Sequence, residues 1–132
     1  MILLDTHVLL WSRVGVRRIG PKCRRLFEQG LRDATLAASA ISFWEVAMLQ
    51  EKGRIDLSQD LRAWRTRLLD DGLIEIPVDG DIAIRANQLT GLHPDPADRL
   101  IVATALGGHT LVTADERILS WSGRLSRKDA RK

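Results

Sequence analysis

Apolar residues follow two patterns along this chain, short runs and longer segments with helical spacing. Short runs bounded by turn residues indicate buried strands, whereas spacings of three and four residues indicate amphipathic helices. The predicted strands span residues 2–4, 35–38, 73–76 and 110–112. The predicted helices span residues 8–11, 21–30, 42–53, the segment between Ser58 and Gly72, 81–89 and 96–106. This alternation predicts an α/β fold, with a short parallel β-sheet of four to five strands flanked by helices on both faces.

Acidic residues recur where the predicted strands lead into helices. Asp5 directly follows one apolar run, and Asp115 lies shortly after another. Both acids can therefore cap the helices that come next. Ser42-x-x-Glu45 fits a capping box, in which the glutamate bonds back to a backbone N–H. Capping is therefore a sufficient structural explanation for each of these acids taken alone.

Taken together, four of the acids favour a common site. Asp5 and Asp115 would lie at the carboxyl ends of strands, the edge at which open parallel sheets bind ligands. Carboxylate oxygens are the ligands that hard divalent cations such as Mg²⁺ and Mn²⁺ prefer. The candidate catalytic and metal-binding residues are Asp5, Glu45, Asp98 and Asp115. We expect Asp5 and Asp98 to contact metal most directly, and the other two to orient bound water or to complete the shell of a second ion.

Length, composition and cysteine content narrow the class of protein. The chain has 132 residues and is 45% hydrophobic, which fits one globular domain spanning residues 1–132. No apolar run approaches the length of a membrane span, and the first residues do not resemble a signal peptide. Cys23 is the only cysteine, which excludes an internal disulfide and a cysteine-rich zinc site. We therefore expect a protein of the reducing cytoplasm, with no membrane association.

The net charge of +3 is unevenly distributed. Two basic clusters contain Arg13, Arg17, Arg18, Lys22, Arg24 and Arg25 near the N-terminus, and Arg124, Arg127, Lys128, Arg131 and Lys132 at the C-terminus. A solvated helix face and a flexible tail from about residue 123 would explain both clusters. The alternative is a surface that binds a polyanion, and basic surface beside clustered acids is typical of a metal-dependent nuclease.

Four segments, taken in order, resemble the acidic motifs of the PIN-domain family. They are Leu3-Leu4-Asp5-Thr6-His7, Ser42-x-x-Glu45, Asp95-Pro96-x-Asp98-Arg99 and Leu111-Val112-Thr113-x-Asp115. The resemblance covers residues 1 to about 120 and is closest to the VapC-type toxins of toxin–antitoxin pairs. The chain departs from the family pattern in one place. That pattern expects a last short strand, whereas polar residues and Gly123 interrupt the apolar residues after Ile118 in this chain.

The resemblance implies a function and a set of partners. It implies an endoribonuclease that depends on Mg²⁺ or Mn²⁺, with the four acids forming its pocket and RNA as its substrate. It also implies a homodimer that a small VapB-type antitoxin neutralises in a hetero-oligomer. DNA would be contacted only indirectly, through the antitoxin.

Residues beside the acids are candidates for supporting roles. Thr113 is expected to form a hydrogen bond within the pocket, and Thr6 is a further candidate for a supporting role. We expect Asp95 to act as an N-cap before Pro96 rather than as a fifth ligand. Arg99 is expected to pair with a neighbouring acid, and contact with phosphate is the alternative.

Histidines and tryptophans give weaker signals. His7 follows the first acid closely and is a minor candidate for catalysis. The other histidines, His93 and His109, are expected to face solvent. Three tryptophans on helical apolar stripes are predicted to be core or dimer contacts, with base stacking as a minor alternative, namely Trp11, Trp44 and Trp64.

Other functions remain open at the level of sequence. The same metal chemistry would serve a DNA nuclease or a phosphatase, since no base-reading module is evident. An acidic pocket with basic flanks can also bind RNA or a partner peptide without cleaving it. A purely structural α/β domain, in which every acid is a helix cap, would require the order and spacing of the motifs to be coincidental.

Overall fold

A five-stranded parallel β-sheet forms the centre of the computed structural model, which describes residues 1–132. The strands are β1 Ile2–Leu4, β2 Leu36–Ser39, β3 Ile74–Ile76, β4 Thr110–Thr113 and β5 Arg127–Asp129. Their order across the sheet is β3-β2-β1-β4-β5, and every neighbouring pair is parallel. The predicted α/β fold class is therefore confirmed.

Seven α-helices cover the two faces of the sheet. They are α1 Thr6–Arg13, α2 Pro21–Arg32, α3 Ala40–Glu51, α4 Leu61–Asp70, α5 Gly80–Gln88, α6 Pro96–Ala105 and α7 Glu116–Leu119, with a short 3₁₀ turn at Val16–Arg18. No helix combines the length and the apolar character needed to cross a lipid bilayer.

The core is divided by the sheet into two layers. Successive side chains of a strand point to opposite faces, so Leu3 and Leu4 of β1 enter different layers, and both are fully buried. The larger layer includes Phe27 of α2 and Trp64 of α4, whereas Ile101 of α6 belongs to the smaller one. Burial of both faces explains why the central strands are almost entirely apolar.

The order of the strands creates a switch point at the carboxyl end of β1. From β1 the chain runs outward through β2 and β3, and it then returns to place β4 on the opposite side of β1. The registers align Leu4 with Val112, and the Asp5 N–H donates to the Val112 carbonyl at 3.0 Å. Asp5 and Asp115 consequently emerge side by side at the edge where α/β sheets form their sites.

Four predicted helix starts are wrong by one or two residues, and the first of these helices, α1, begins at Thr6 rather than at residue 8. Helix α3 begins at Ala40 with Ser39 as its N-cap, so Ser42 and Glu45 do not form a capping box. Helix α4 is capped by Asp60, since Ser58 lies in the turn before it with a φ of 57°. Helix α5 begins at Gly80 with an aspartate cap, whereas the predicted cap at the start of α6 is confirmed.

The fifth strand lies in a different segment from the last apolar residues. Residues 118–121 form the end of α7 and the following turn, whereas β5 occupies Arg127–Asp129 within the basic tail. The tail is consequently ordered by backbone pairing with β4, and Ala130 is fully buried. Its charged side chains suit an edge strand, which explains why apolar patterning does not reveal it.

Candidate active site

Asp5 occupies the innermost position of the site, at the junction of β1 and α1. Its side chain is 6% exposed. Oδ1 accepts from the Thr6 backbone N–H at 2.8 Å, and Oδ2 accepts from the Thr113 hydroxyl at 2.7 Å. Burial raises the pKa of the Asp5 carboxyl, and the negative charge of Asp98 adds to this effect. Asp5 is thus both a helix cap and a buried acid facing another acid.

Glu45 reaches the same region from the second turn of α3. The Thr6 hydroxyl donates to Glu45 Oε1 and also lies 2.9 Å from the Ser42 hydroxyl. Burial raises the pKa of Glu45 to about 7, and the charges of Asp98 and Asp5 contribute in the same direction. The pairing of Ser42 with Thr6 explains why this serine does not cap α3.

Asp98 is presented by the first turn of α6 and is held by His93. The Nε2 atom of His93 lies 2.7 Å from Asp98 Oδ2, and both side chains are largely buried. Burial raises the pKa of Asp98, with the nearby Asp95 carboxylate adding to the rise. The prediction that His93 faces solvent is wrong, and its Nδ1 atom is buried without a hydrogen-bond partner.

Asp115 caps α7 and forms an ion pair with Arg117. Nε and Nη2 of Arg117 contact the two carboxylate oxygens at 3.1 and 2.9 Å, and the Arg117 backbone N–H donates at 2.9 Å. Burial alone would raise the pKa of Asp115, but the hydrogen bonds and charge of Arg117 outweigh it and hold the pKa below its usual value. Asp115 therefore differs electrostatically from the other three acids.

The four predicted acids line one cleft with a volume of about 270 Å³. One carboxylate oxygen each from Glu45, Asp95 and Asp98 lies within 4.8 Å of the others, and ligand atoms of His93, Asp98 and Asp115 form a second group of this size. The residues that line the cleft are Asp5, His7, Trp11, Glu45, Asp95, Asp98, Ala114, Asp115 and Arg117. Acids that are distant in sequence thus become neighbours in the fold.

Three of the four supporting candidates contact or adjoin acids of the cleft. Thr113 forms the expected hydrogen bond, with Asp5, and Thr6 donates to Glu45. Asp95 accepts from the Asp98 backbone N–H as the N-cap of α6, and it also lies at the rim of the cleft. Its predicted capping role is therefore confirmed, together with a position close to the other carboxylates.

Arg99 has a different role from either of those predicted. Its guanidinium pairs with no acid and instead donates to backbone carbonyls of Ala86, Leu89, Leu92 and His93, at distances of 2.6 to 3.4 Å. These carbonyls belong to the last turn of α5 and to the loop that carries His93. Arg99 consequently fixes the loop from which His93 contacts Asp98.

The remaining aromatic and histidine candidates separate into four environments. Trp64 is a core residue in edge contact with Phe43, at 6.0 Å between ring centroids. Trp11 lines the cleft beneath the Arg18 guanidinium, whereas Trp44 is 57% exposed. His7 also lines the cleft, and Nδ1 of His109 lies 3.1 Å from the N-terminal amino group at the opposite end of β1.

The donor set fits a hard divalent cation. It consists mainly of carboxylate oxygens from several elements, which is the chemistry that Mg²⁺ and Mn²⁺ prefer, with one imidazole nitrogen from His93 and no thiolate. Burial raises the pKa values of Asp5, Glu45 and Asp98, and the negative charges of neighbouring carboxylates add to the rise. A bound cation would compensate for this clustering of negative charge.

Two residues of the site carried no clear signal in the sequence. His93 lies in the loop before α6, and Arg117 follows Asp115 by two residues in a helix of four residues. Neither belongs to a periodic pattern or a motif. The adjacency of Arg117 to a candidate acid is the only feature that could have indicated it.

Comparison with known proteins agrees with this fold. The sequence matches the family model for the PIN domain over residues 2–121. Over 121 residues it is 36% identical to Ribonuclease VapC22 of Mycobacterium tuberculosis (strain ATCC 25618 / H37Rv), covering 90% of both chains. The structure resembles VapBC2 from Rickettsia felis bound to a promoter DNA fragment, with a TM-score of 0.68, 18% identity and coverage of 98% of this chain and 100% of the other. It also resembles a toxin–antitoxin complex from Klebsiella pneumoniae, with a TM-score of 0.62, 24% identity and 98% of each chain covered.

These matches establish the family from sequence and the fold from structure. The chain therefore belongs to the PIN-domain family. Within that family, the resemblance to VapC-type proteins is confirmed by the identity over nine tenths of both chains.

Proposed function

We propose that this protein is an endoribonuclease that depends on Mg²⁺ or Mn²⁺ and acts as the toxin of a toxin–antitoxin pair. The convergence of Asp5, Glu45, Asp98 and Asp115 on one cleft is the observation that carries the proposal. Its substrate class is supported by the relative named as a ribonuclease, which shares 36% of its residues with this chain. The toxin role is supported by structural neighbours that are toxin–antitoxin complexes.

The acids of the cleft would hold the cation. When bound, a divalent cation supplies charge neutralisation at a phosphoryl group and lowers the pKa of a coordinated water. Asp5 and Asp98 are proposed as the most direct ligands, with Glu45 and Asp115 orienting bound water or completing the shell of a second ion. Asp95 lies close enough to Glu45 and Asp98 to contribute at the rim.

Neighbouring side chains would keep these acids in position. Thr113 fixes Oδ2 of Asp5, and Thr6 fixes one oxygen of Glu45, so both hydroxyls restrict the rotation of their carboxylates. His93 restricts Asp98 in the same way. Catalytic acids that are held by buried donors need little reorganisation when a substrate binds.

Basic and aromatic residues beside the cleft would bind the RNA backbone. Arg18 lies over the Trp11 ring, with its guanidinium carbon 5.6 Å from the ring centroid, and Trp11 lines the cleft. Arg17 of the same 3₁₀ turn is exposed. Exposed guanidinium groups next to an aromatic ring are suited to phosphates and unstacked bases. Several other basic residues are engaged within the protein, because Arg13 pairs with Asp71 and Arg131 with Asp129.

We further propose a homodimer and a complex with a VapB-type antitoxin in the cytoplasm, with DNA contacted only through the antitoxin. Trp44 on α3 and Ile84 on α5 are both more than half exposed. Tryptophan is enriched at protein interfaces, so an exposed ring such as that of Trp44 suits a contact between subunits. The exposure of Trp44 excludes the core role predicted for it and is compatible with either a dimer contact or stacking on an RNA base.

The nuclease proposal is tested by incubating purified protein with total cellular RNA in Mg²⁺ or Mn²⁺. An EDTA sample and an Asp98→Asn variant, shown by circular dichroism to be folded, serve as negative controls. Asp81→Asn is the matched positive control, because Asp81 is an exposed acid of α5 that pairs only with Arg85. Discrete RNA fragments in wild type and Asp81→Asn, but not in Asp98→Asn or EDTA, are the expected result.

The same experiment distinguishes the other functions. Metal-dependent cleavage of DNA but not RNA would assign the cleft to a deoxyribonuclease. Binding of RNA without cleavage by a folded, metal-loaded protein would indicate a binding module. Cleavage that survives both EDTA and Asp98→Asn would contradict the proposed site.

A further inference from the structure

The Arg117 guanidinium contacts both carboxylate oxygens of Asp115, which is one of the proposed metal ligands. Its Nε atom lies 3.1 Å from Asp115 Oδ1 and its Nη2 atom 2.9 Å from Oδ2, which is a bidentate pair. The Arg117 backbone N–H also donates to Oδ1. With both oxygens facing the guanidinium, Asp115 in this arrangement has little freedom to face a cation in the cleft.

The same guanidinium approaches a second acid of the site. Nη2 of Arg117 lies 3.8 Å from Asp98 Oδ2, the oxygen that also contacts His93. A positive charge from the protein itself therefore lies between Asp98 and Asp115, two of the four acids that line the cleft. This charge would repel a divalent cation bound to either carboxylate.

Arg117 is anchored far more weakly than Arg99. Its side chain is 62% exposed, and its only side-chain partners are the two acids. Arg99, by contrast, is held by four backbone carbonyls. Exposed ion pairs are worth little, so moving the Arg117 guanidinium away from the cleft costs little free energy once another cation neutralises the acids.

We propose that Arg117 is a built-in competitor of the divalent cation, and that metal binding releases its guanidinium to bind the scissile phosphate of the substrate. The inference rests on the proposed metal-dependent nuclease. In the metal-free protein the single charge of Arg117 offsets that of Asp115 and part of that of Asp98, and in the loaded protein the divalent cation would take over this role. A released guanidinium at the rim of the cleft has the planar fork that matches phosphate oxygens. One side chain thus weakens metal binding and strengthens substrate binding.

The test compares Mn²⁺ affinity, measured by calorimetry without RNA, in wild type, Arg117→Gln and Arg117→Lys. We expect Arg117→Gln to bind Mn²⁺ several-fold more tightly, because the competing charge is gone, and Arg117→Lys to stay near wild type. RNA cleavage by Arg117→Gln at saturating metal should show a raised KM. Arg62→Gln is the charge-matched control, since Arg62 is exposed on α4 and makes no ion pair.

A second measurement uses the wild-type protein alone. Addition of Mg²⁺ to ¹⁵N-labelled protein should shift the Arg117 Nε–Hε resonance, assigned by its absence in Arg117→Gln, towards the position of a solvated arginine. Unchanged or weaker Mn²⁺ binding by folded Arg117→Gln would overturn the inference, as would an unshifted resonance at saturating Mg²⁺. Absence of Mn²⁺ binding by wild type would instead overturn the proposed metal site, so the two failures are distinguishable.

Discussion

His93 Nε2 lies 2.7 Å from Asp98 Oδ2, which ties the loop before α6 to an acid in the first turn of that helix. This contact restricts the Asp98 carboxylate to one orientation. We expect His93→Ala to weaken Mn²⁺ binding several-fold and His93→Gln to recover part of the loss, because the glutamine amide can donate in place of the imidazole. Calorimetric titration of the folded variants measures this. Wild-type affinity in His93→Ala would exclude a positioning role.

Arg99 stabilises the loop that carries His93. Replacing it with methionine removes the donors to four carbonyls and should lower the free energy of unfolding by about 3 kcal/mol, because hydrogen bonds from a charged group are strong and the carbonyls lose their partner. Arg99→Lys should recover little, since one ammonium group does not reproduce the planar fork. Urea denaturation measures both variants. Full recovery in Arg99→Lys would show that charge alone matters.

The Thr6 hydroxyl joins α1 to α3 through Glu45 and Ser42. Thr6→Val keeps the shape of a side chain that is 1% exposed but removes its donor. We expect a loss of about 1–2 kcal/mol in the free energy of unfolding, because buried oxygens are left without a partner. Thr104→Val is the matched control, since Thr104 donates only to the Leu100 carbonyl within its own helix, and it should change stability less.

The metal-free protein should become less stable as pH rises from about 5 to about 7. Burial raises the pKa of Glu45 from 4.5 to about 7, so over this range the folded protein holds a proton that the unfolded chain has released. Raised pKa values at Asp5 and Asp98 act in the same direction. Melting temperatures in EDTA measure the decline. Glu45→Gln should make the curve flatter, whereas Glu51→Gln at the exposed end of α3 should not.

A ligand that binds only the folded state stabilises it, so saturating Mg²⁺ should raise the melting temperature. The rise should be largest at the upper end of that pH range, because the carboxyl groups must be deprotonated to bind the cation. A metal-free protein whose melting temperature is constant or increases between these pH values would contradict the electrostatic account of the cleft.

Gly20 lies against the end of the chain. A Cβ atom at Gly20 would lie 2.2 Å from the carbonyl carbon of Lys132, although the backbone conformation itself, with a φ of −68°, suits alanine. Gly20→Ala should therefore destabilise the fold by about 1–3 kcal/mol through overpacking. Gly80→Ala, where the added carbon meets nothing within 4 Å, should be neutral or slightly stabilising. Equal effects of the two substitutions in thermal denaturation would contradict this packing argument.

The central strands and the four acids could be predicted because their signals are local. Apolar runs such as Ile2–Leu4 are required by burial on both faces, and an acid after such a run is visible without knowledge of the fold. The parallel topology then brings Asp5 and Asp115 to one edge of the sheet. The family resemblance added the order and spacing that joined Glu45 and Asp98 to them.

The features that were missed depend on tertiary contacts or on the backbone. The edge strand β5 is held by backbone pairing and carries charged side chains, so its segment has no apolar pattern. Ser39 and Ser42 are both acceptable caps, and the contact of Ser42 with Thr6 decides between them. Arg99 and His93 acquire their roles only when α5, α6 and the intervening loop pack together.

The position of β1 between β2 and β4 has a consequence for the synthesis of the protein. Asp5 and Glu45 belong to the first part of the chain, but β4 must be made and must pair with β1 before Asp115 lies beside Asp5. An unfinished chain that ends before β4 therefore carries three of the four acids and lacks Asp115, so the acidic cleft is incomplete. If the cleft cuts RNA as proposed, a translating ribosome and its message are protected from the growing chain by the order in which the strands are made.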